Sequence, residues 1–281
     1  MTFIHRIEEC RRFDPEAYQP FAVAGAAVGL VRHDFTHRLR DFAGVFQVGA
    51  AGIRLDDRLA DFPSRTRALA DVLETLRAKG EISGWRDEAY PVATSFSAPP
   101  LMTLERAAVP LFGVRGYGVH MNGVVGGGAD LRMWVAKRSL TKPTGPGKLD
   151  QLVAGGQPAG VSLADNLIKE CAEEAAIPPD LARRAVPIGA VSYVTERPEG
   201  LRRDILFNYD LELPESFRPD NADGEVVSFH LWPIARVIET VRDTDDFKFN
   251  CALVVIDFLI RRGLIVPDHP DYVALIKGLH E

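Results

Sequence analysis

The run from Ala154 to Ile177 constrains this chain more than any other. It opens on the glycine pair Gly155 and Gly156 and continues Gln-Pro-Ala-Gly to Val161. Ser162, with Asp165 three positions on, has the spacing of a capping box, which predicts a helix over 162–175. Leu167, Ile168, Cys171 and Ala175 recur at helical spacing and define a buried face. Glu170, Glu173 and Glu174 fall within one turn at the border of that face. Three ionised carboxylates so close together repel one another, and one would normally take up a proton. A hard divalent cation removes the conflict, and the glycine bend can add a bare backbone carbonyl as a further oxygen ligand. Mg²⁺ keeps water positions open and binds phosphate oxygens, so the residues alone suggest metal-assisted hydrolysis of a phosphoanhydride. A lone acidic helix is more often a solvated face. Here the fixed order of strand, glycine bend, cap and helix favours the metal.

The rest of the chain gives this segment a setting. Its 281 residues are long enough for one large or two ordinary domains. A hydrophobic share of 46% with 26% charged residues excludes a disordered chain. With 33 basic and 39 acidic side chains the net charge is −6, which argues against a dedicated nucleic-acid binder. No apolar run approaches the length a bilayer requires, so no membrane association is expected. Cys10, Cys171 and Cys251 are sparse, form no CxxC pair and read as reduced thiols, hence an expected cytoplasmic location.

Short β-type runs at 28–31, 45–48 and 52–55 precede a helix over 64–79, stopped by Gly80. Pro110, Gly113 and Gly116 interrupt the pattern and suggest a boundary between a domain of residues 1–115 and one of 116–281. Beyond it come strands at 117–125 and 131–138 around Gly126-Gly-Gly-Ala-Asp130, a short strand at 149–154, and a strand pair at 186–194 and 203–213. A last strand at 225–232 is followed by helices at 233–242 and 247–263. Mixed strands with helices on the outside imply an α+β or α/β sandwich.

The central run resembles the Nudix box, Gly-x5-Glu-x7-Arg-Glu-U-x-Glu-Glu-x-Gly-U, where U is aliphatic. Gly155 takes the first position, Glu170 follows the Arg position, Glu173 and Glu174 form the paired acids, and Cys171 and Ile177 fill the aliphatic places. Val161 stands for the first Glu, Lys169 for Arg and Ala176 for the late Gly. Outside the box, residues 84–92, 105–113, 118–123 and 247–260 make the chain similar to the Nudix subfamily related to thiamine pyrophosphokinase. In that subfamily the Nudix domain follows an N-terminal domain of unassigned function.

The resemblance implies a C-terminal α/β/α sandwich with a mixed sheet, preceded by a smaller α+β domain. It implies Mg²⁺, or Mn²⁺, on Glu170, Glu173, Glu174 and the Ala154 carbonyl. The implied substrate is a small-molecule diphosphate, with thiamine diphosphate or its oxidised analogues leading. Glu174 and Glu173 are the catalytic candidates within the box, and Glu225 is the candidate acid outside it. Lys137, Arg138, Arg202 and Arg203 are candidate phosphate partners. Tyr193, Phe207 and Trp232 are aromatic enough to stack on a ring, although core positions explain them better, and His120 reads as a core histidine. A hydrolase of nucleoside diphosphates linked to another moiety, and a non-catalytic diphosphate-binding module, remain alternatives. A homodimer is compatible with the chain.

Overall fold

A computed structural model describes residues 2–221 and 224–280. The first half contains α1 (Phe3–Glu9), β1 (Tyr18–Val23), β2 (Ala26–Arg32), α2 (His33–Leu39), β3 (Phe46–Gly49) and β4 (Gly52–Leu55). It continues with α3 (Phe62–Ala78), β5 (Ala89–Val92), β6 (Met102–Glu105) and α4 (Val109–Phe112). Strands β2-β1-β4-β3 form a four-stranded sheet, and β5 and β6 form a separate antiparallel pair. Helix α3 starts at Asp61, whose carboxylate accepts from the Ser64 amide at 2.8 Å while Ser64 bonds back. Its buried residues Leu69, Val72, Leu73 and Leu76 follow the helical spacing seen in the sequence. They close a core in which Phe21, Phe46 and Phe112 pack with ring centroids 5.1–6.4 Å apart.

The second half comprises β7 (Arg115–Val125), β8 (Arg132–Arg138), β9 (Leu149–Asp150), β10 (Val153–Gly156), α5 (Leu163–Ala175), α6 (Pro179–Ala182), β11 (Val186–Arg197) and β12 (Gly200–Glu212). β13 (Val226–Pro233), α7 (Ile234–Asp243), α8 (Phe249–Arg261) and α9 (Tyr272–His280) complete it. The sheet runs β11-β12-β7-β8-β13; it is mixed, because β12 pairs with β7 in parallel and its other ladders are antiparallel. Strands β7 and β8 pair only at Val124–Met133 and Val125–Arg132, then diverge. The short strands β9 and β10 fill the gap, β10 against β7 and β9 against β8. That divergence creates the site.

One face of the sheet carries α5 and α6 over Val119, Met121 and Leu211. The other carries α7, α8 and α9 over Val135, Val191 and Tyr193. The result is the expected α+β class, with helices on both faces of a mixed sheet. Helix α8 buries ten of its thirteen residues because neighbours surround it, and its buried Asp257 is held by Arg261 at 2.8 Å. Helices α2 and α9 were not foreseen, being only seven and nine residues long.

Helix α1 packs with the second half of the chain, although it belongs to the first by sequence. Phe3, Ile7 and Cys10 of α1 and its C-cap are buried in the same core as α8 and α9, not in the core of the first sheet. Arg6, 5% exposed, anchors that packing by donating to the Val241 carbonyl at 3.0 Å and pairing with Asp245. Among the described residues no helix is long and apolar enough to cross a membrane.

Candidate active site

Helix α5 begins as the sequence predicts: Ser162 Oγ accepts from the Asp165 amide at 3.1 Å. The three glutamates then meet different surroundings. Glu174 is buried, and its Oε2 accepts from the Ala154 amide on β10 at 2.7 Å. In a strand the N–H and C=O of one residue point to the same side. The Ala154 carbonyl therefore shares the open edge of β10 with Glu174. Glu170 lies over the next residue, Gly155, where a Cβ would collide with the Glu170 carboxyl group, so only glycine admits it. Glu173 is half exposed and pairs with Lys169 at 2.9 Å, while Lys169 also approaches Glu170 at 3.4 Å. At the Arg position of the box a lysine thus bridges two of the acids as a point charge.

Burial pushes the Glu174 carboxyl up to about 8, against the pull of the Ala154 amide. It raises Glu170 as well. Two carboxyls taken out of water beside a shared strand edge are poorly served without a cation. Oxygen-only donors and a glycine cradle suit a hard divalent ion, so the residues fit Mg²⁺ or Mn²⁺. The fit is open rather than clenched: the three glutamates do not all bring an oxygen within 4.8 Å of one another.

Beside the edge of β10 lies a cavity of about 450 Å³. Its walls carry Arg86, Arg106, Arg138, Lys142, Arg202 and Lys248. Two of the four proposed phosphate partners are therefore present. Arg138 is almost fully buried and bonds Asp150 at 2.6 Å and the Thr144 carbonyl at 2.7 Å. Arg202 bonds Glu199 at 2.7 Å and approaches Asp204 at 3.5 Å. Lys137 and Arg203 do not line the cavity, because neighbours along a strand point to opposite faces. Lys137 is exposed, and Arg203 donates to the Gly113 carbonyl at 3.1 Å.

Glu225 does not itself line the cavity; it pairs with Lys142 and lies 3.8 Å from Arg86, both of which do. Partial burial raises its pKa, but the Lys142 bond and charge, together with the Arg86 and Arg106 charges, outweigh that and keep it below the usual carboxylate range. Its neighbour Asp223 lies outside the described residues. Phe207 stacks with Tyr117 at 6.2 Å, and the half-exposed Phe96 covers both at 4.7 and 5.0 Å. Tyr193 is core, its hydroxyl donating to Asp204 at 2.5 Å. Trp232 packs against the α7–α8 core under Arg236, 3.9 Å from its ring centre. Cys171 is buried beside Met121, where burial pushes its thiol up to about 12.

The floor of the cavity holds a cluster that reasoning from sequence missed. His120, Asp150 and Cys251 bring one donor atom each within 4.8 Å of one another, the one such trio among the described residues. His120 Nδ1 meets Gln151 Oε1 at 2.7 Å, and Cys251 donates to Asp150 at 2.7 Å. Burial raises the Asp150 pKa, yet the Lys248 and Arg138 charges outweigh it and hold Asp150 below the usual carboxylate range. Those two cations repel a metal ion, so the trio acts as a hydrogen-bonded floor. No motif announces Asp150, because its partners Arg138, Lys248 and Cys251 come from β8 and the start of α8. Tyr90 and Arg106 escaped for a similar reason, since they belong to the first half of the chain.

Residues 2–116 match a family model described as a domain of unknown function, DUF4743. Two relatives from Arabidopsis thaliana, Nudix hydrolase 24, chloroplastic, and Nudix hydrolase 20, chloroplastic, are each 47% identical to the chain. Each alignment covers 99% of this chain and 77% of the relative. Among solved structures, the NUDIX domain of Shewanella oneidensis NrtR, complexed with ADP ribose, is 14% identical with a TM-score of 0.43. It covers 53% of this chain and 90% of that one. The two plant names overturn the cytoplasmic expectation, since reduced, buried thiols do not separate the cytoplasm from a chloroplast. Identity of this level along nearly the whole length, together with the acidic helix set against its glycine strand, shows that the chain belongs to the Nudix hydrolases and is a pyrophosphohydrolase acting on diphosphate bonds.

Proposed function

We propose that the chain hydrolyses thiamine diphosphate or its oxidised analogues, using Mg²⁺ or Mn²⁺ and releasing phosphate and a monophosphate. The observation that carries the reading is the placement of Glu174: a carboxylate buried against the Ala154 amide, raised to about 8, beside a cavity walled by cations. Glu170, Glu173, Glu174 and the Ala154 carbonyl would hold the ion, which supplies charge neutralisation at the diphosphate and lowers the pKa of water.

The chain's own groups do the rest. Lys169 keeps Glu170 and Glu173 oriented. Arg138 and Arg202 set a positive wall around the diphosphate. Glu225, kept ionised by Lys142, is the carboxylate outside α5 that would take the proton of the attacking water. The Phe96, Tyr117 and Phe207 cluster borders the cavity through Tyr117 and suits a flat heteroaromatic leaving group. That cluster, with the subfamily resemblance, is what favours a thiamine-type substrate over a sugar-linked nucleotide.

The test is a panel of diphosphates assayed with Mg²⁺: thiamine diphosphate, its oxo and oxy forms, and nucleoside diphosphate sugars. Glu174→Gln should cut Mg²⁺-dependent turnover by at least about 100-fold, the loss of a group acting on charge in the transition state. Equal rates across the panel would remove the thiamine assignment and leave the hydrolase standing.

A further inference from the structure

The first domain reaches into the active site. Its β5–β6 hairpin rests on the glycine bend: the Ala159 amide, just past β10, donates to the Ala89 carbonyl at 2.9 Å. A Cβ on Gly156 would collide with the Tyr90 hydroxyl and lie 3.1 Å from Cζ of Arg106. Tyr90 is buried, with the Arg106 guanidinium 5.7 Å from its ring centre. The Arg106 charge also reaches Glu170 on α5 and opposes the rise in that carboxyl's pKa.

A diphosphate carries several negative charges, and α5 offers it only carboxylates. Three of the four second-domain cations that line the cavity are committed. Arg138 is 8% exposed and held by Asp150 and two loop carbonyls, Lys142 is 13% exposed and paired with Glu225, and Arg202 is 24% exposed between Glu199 and Asp204. The two most exposed cavity arginines belong to the first domain, Arg86 at 33% and Arg106 at 42%. Glu88 meets the Arg106 guanidinium through one nitrogen, Nη1 at 2.8 Å, and a guanidinium has five N–H donors in a fixed fork.

We propose that Arg106, seated on Tyr90 and joined by Arg86, is the phosphate-gripping wall of the diphosphate site, so that the domain of unassigned function supplies half of substrate recognition. This rests on the diphosphate-hydrolase reading, and its test separates the two. Inorganic pyrophosphate is titrated into the full chain by calorimetry, with and without Mg²⁺, alongside thermal melts and steady-state kinetics with thiamine diphosphate.

Arg106→Ala should weaken pyrophosphate binding by about tenfold or more with an unchanged melting temperature, Arg106→Lys should restore part of it, and Arg86→Ala should cost less. Glu88→Gln removes the competing carboxylate and should bind pyrophosphate at least as tightly as the wild type. If Arg106→Ala binds like the wild type, the inference falls. It falls equally if Glu88→Gln loses as much as Arg106→Ala, since the pair would then act only as a structural link, or if the wild type binds no pyrophosphate in either condition. A wild type that shows the expected binding pattern yet leaves thiamine diphosphate intact would sink the thiamine reading and leave this subsite intact.

Discussion

Glu174 and His120 lie on opposite sides of the same strand pair, and burial shifts both away from their charged forms. Glu174 rises from 4.5 to about 8, so between those values the native protein holds a proton that the unfolded chain has released. Stability of the metal-free protein therefore falls as pH rises through that window, by at most about 1.4 kcal/mol per unit. Glu174→Gln should flatten this descent, and a divalent cation, which binds the ionised carboxylate, should offset it. His120 moves the other way, from 6.5 down to about 4. There the unfolded imidazole protonates first, so stability is lost as pH falls through 6.5 towards 4, and His120→Gln should remove that limb. Urea melts across the pH range with excess chelator test both, and a variant whose profile matches the wild type would show that its group does not titrate on unfolding. Glu174 was legible in the sequence because its meaning lies in local helical spacing. Asp150 was not, because its charge state is set by Arg138, Lys248 and Cys251, the last a hundred positions away.

Among the elements, α5 shows how a short departure from a motif becomes physical. Ala176 stands where the box has glycine, and it adopts φ +51° and ψ +34° as the helix C-cap. A side chain in this left-handed region is strained, whereas glycine is not. Ala176→Gly should thus stabilise the protein by roughly 0.5–1 kcal/mol, the relief of strain less the greater freedom of unfolded glycine. Chemical denaturation measures it, and a loss of stability would mean that the Ala176 methyl packs usefully. Strands impose their own rule. The pairs Lys137–Arg138 and Arg202–Arg203 look equivalent in a sequence, yet alternation sends one member of each to the cavity and the other away. Which member faces inward depends on register, and register follows from how β8 and β12 pair with their neighbours.

Across the whole molecule, the chain's first helix closes on its last. Helix α1 places Ile7 against Gly278 of α9, where even an added Cβ would collide with the Ile7 side chain. Ile7→Ala should consequently destabilise the protein by about 2–4 kcal/mol. Hydrogen exchange should register that loss in α8 and α9 rather than in the first sheet. A loss confined to the first sheet would contradict the packing. The β5–β6 hairpin in turn lies over the glycine bend, where the Ala159 amide donates to the Ala89 carbonyl at 2.9 Å.

The sequence alone determined that a capped amphipathic helix follows a glycine bend, that three glutamates edge its buried face, and that strands and helices alternate in an α+β order. Each of these depends on residues within a few turns of one another, where spacing dictates geometry. Tertiary structure alone decided that β7 and β8 part to admit β9 and β10, that Asp150 and Lys248 meet beneath the cavity, and that Tyr90 and Arg106 approach Gly156. Those contacts join residues tens to more than a hundred positions apart. They follow from how the pieces pack around shared cores, which no local pattern specifies.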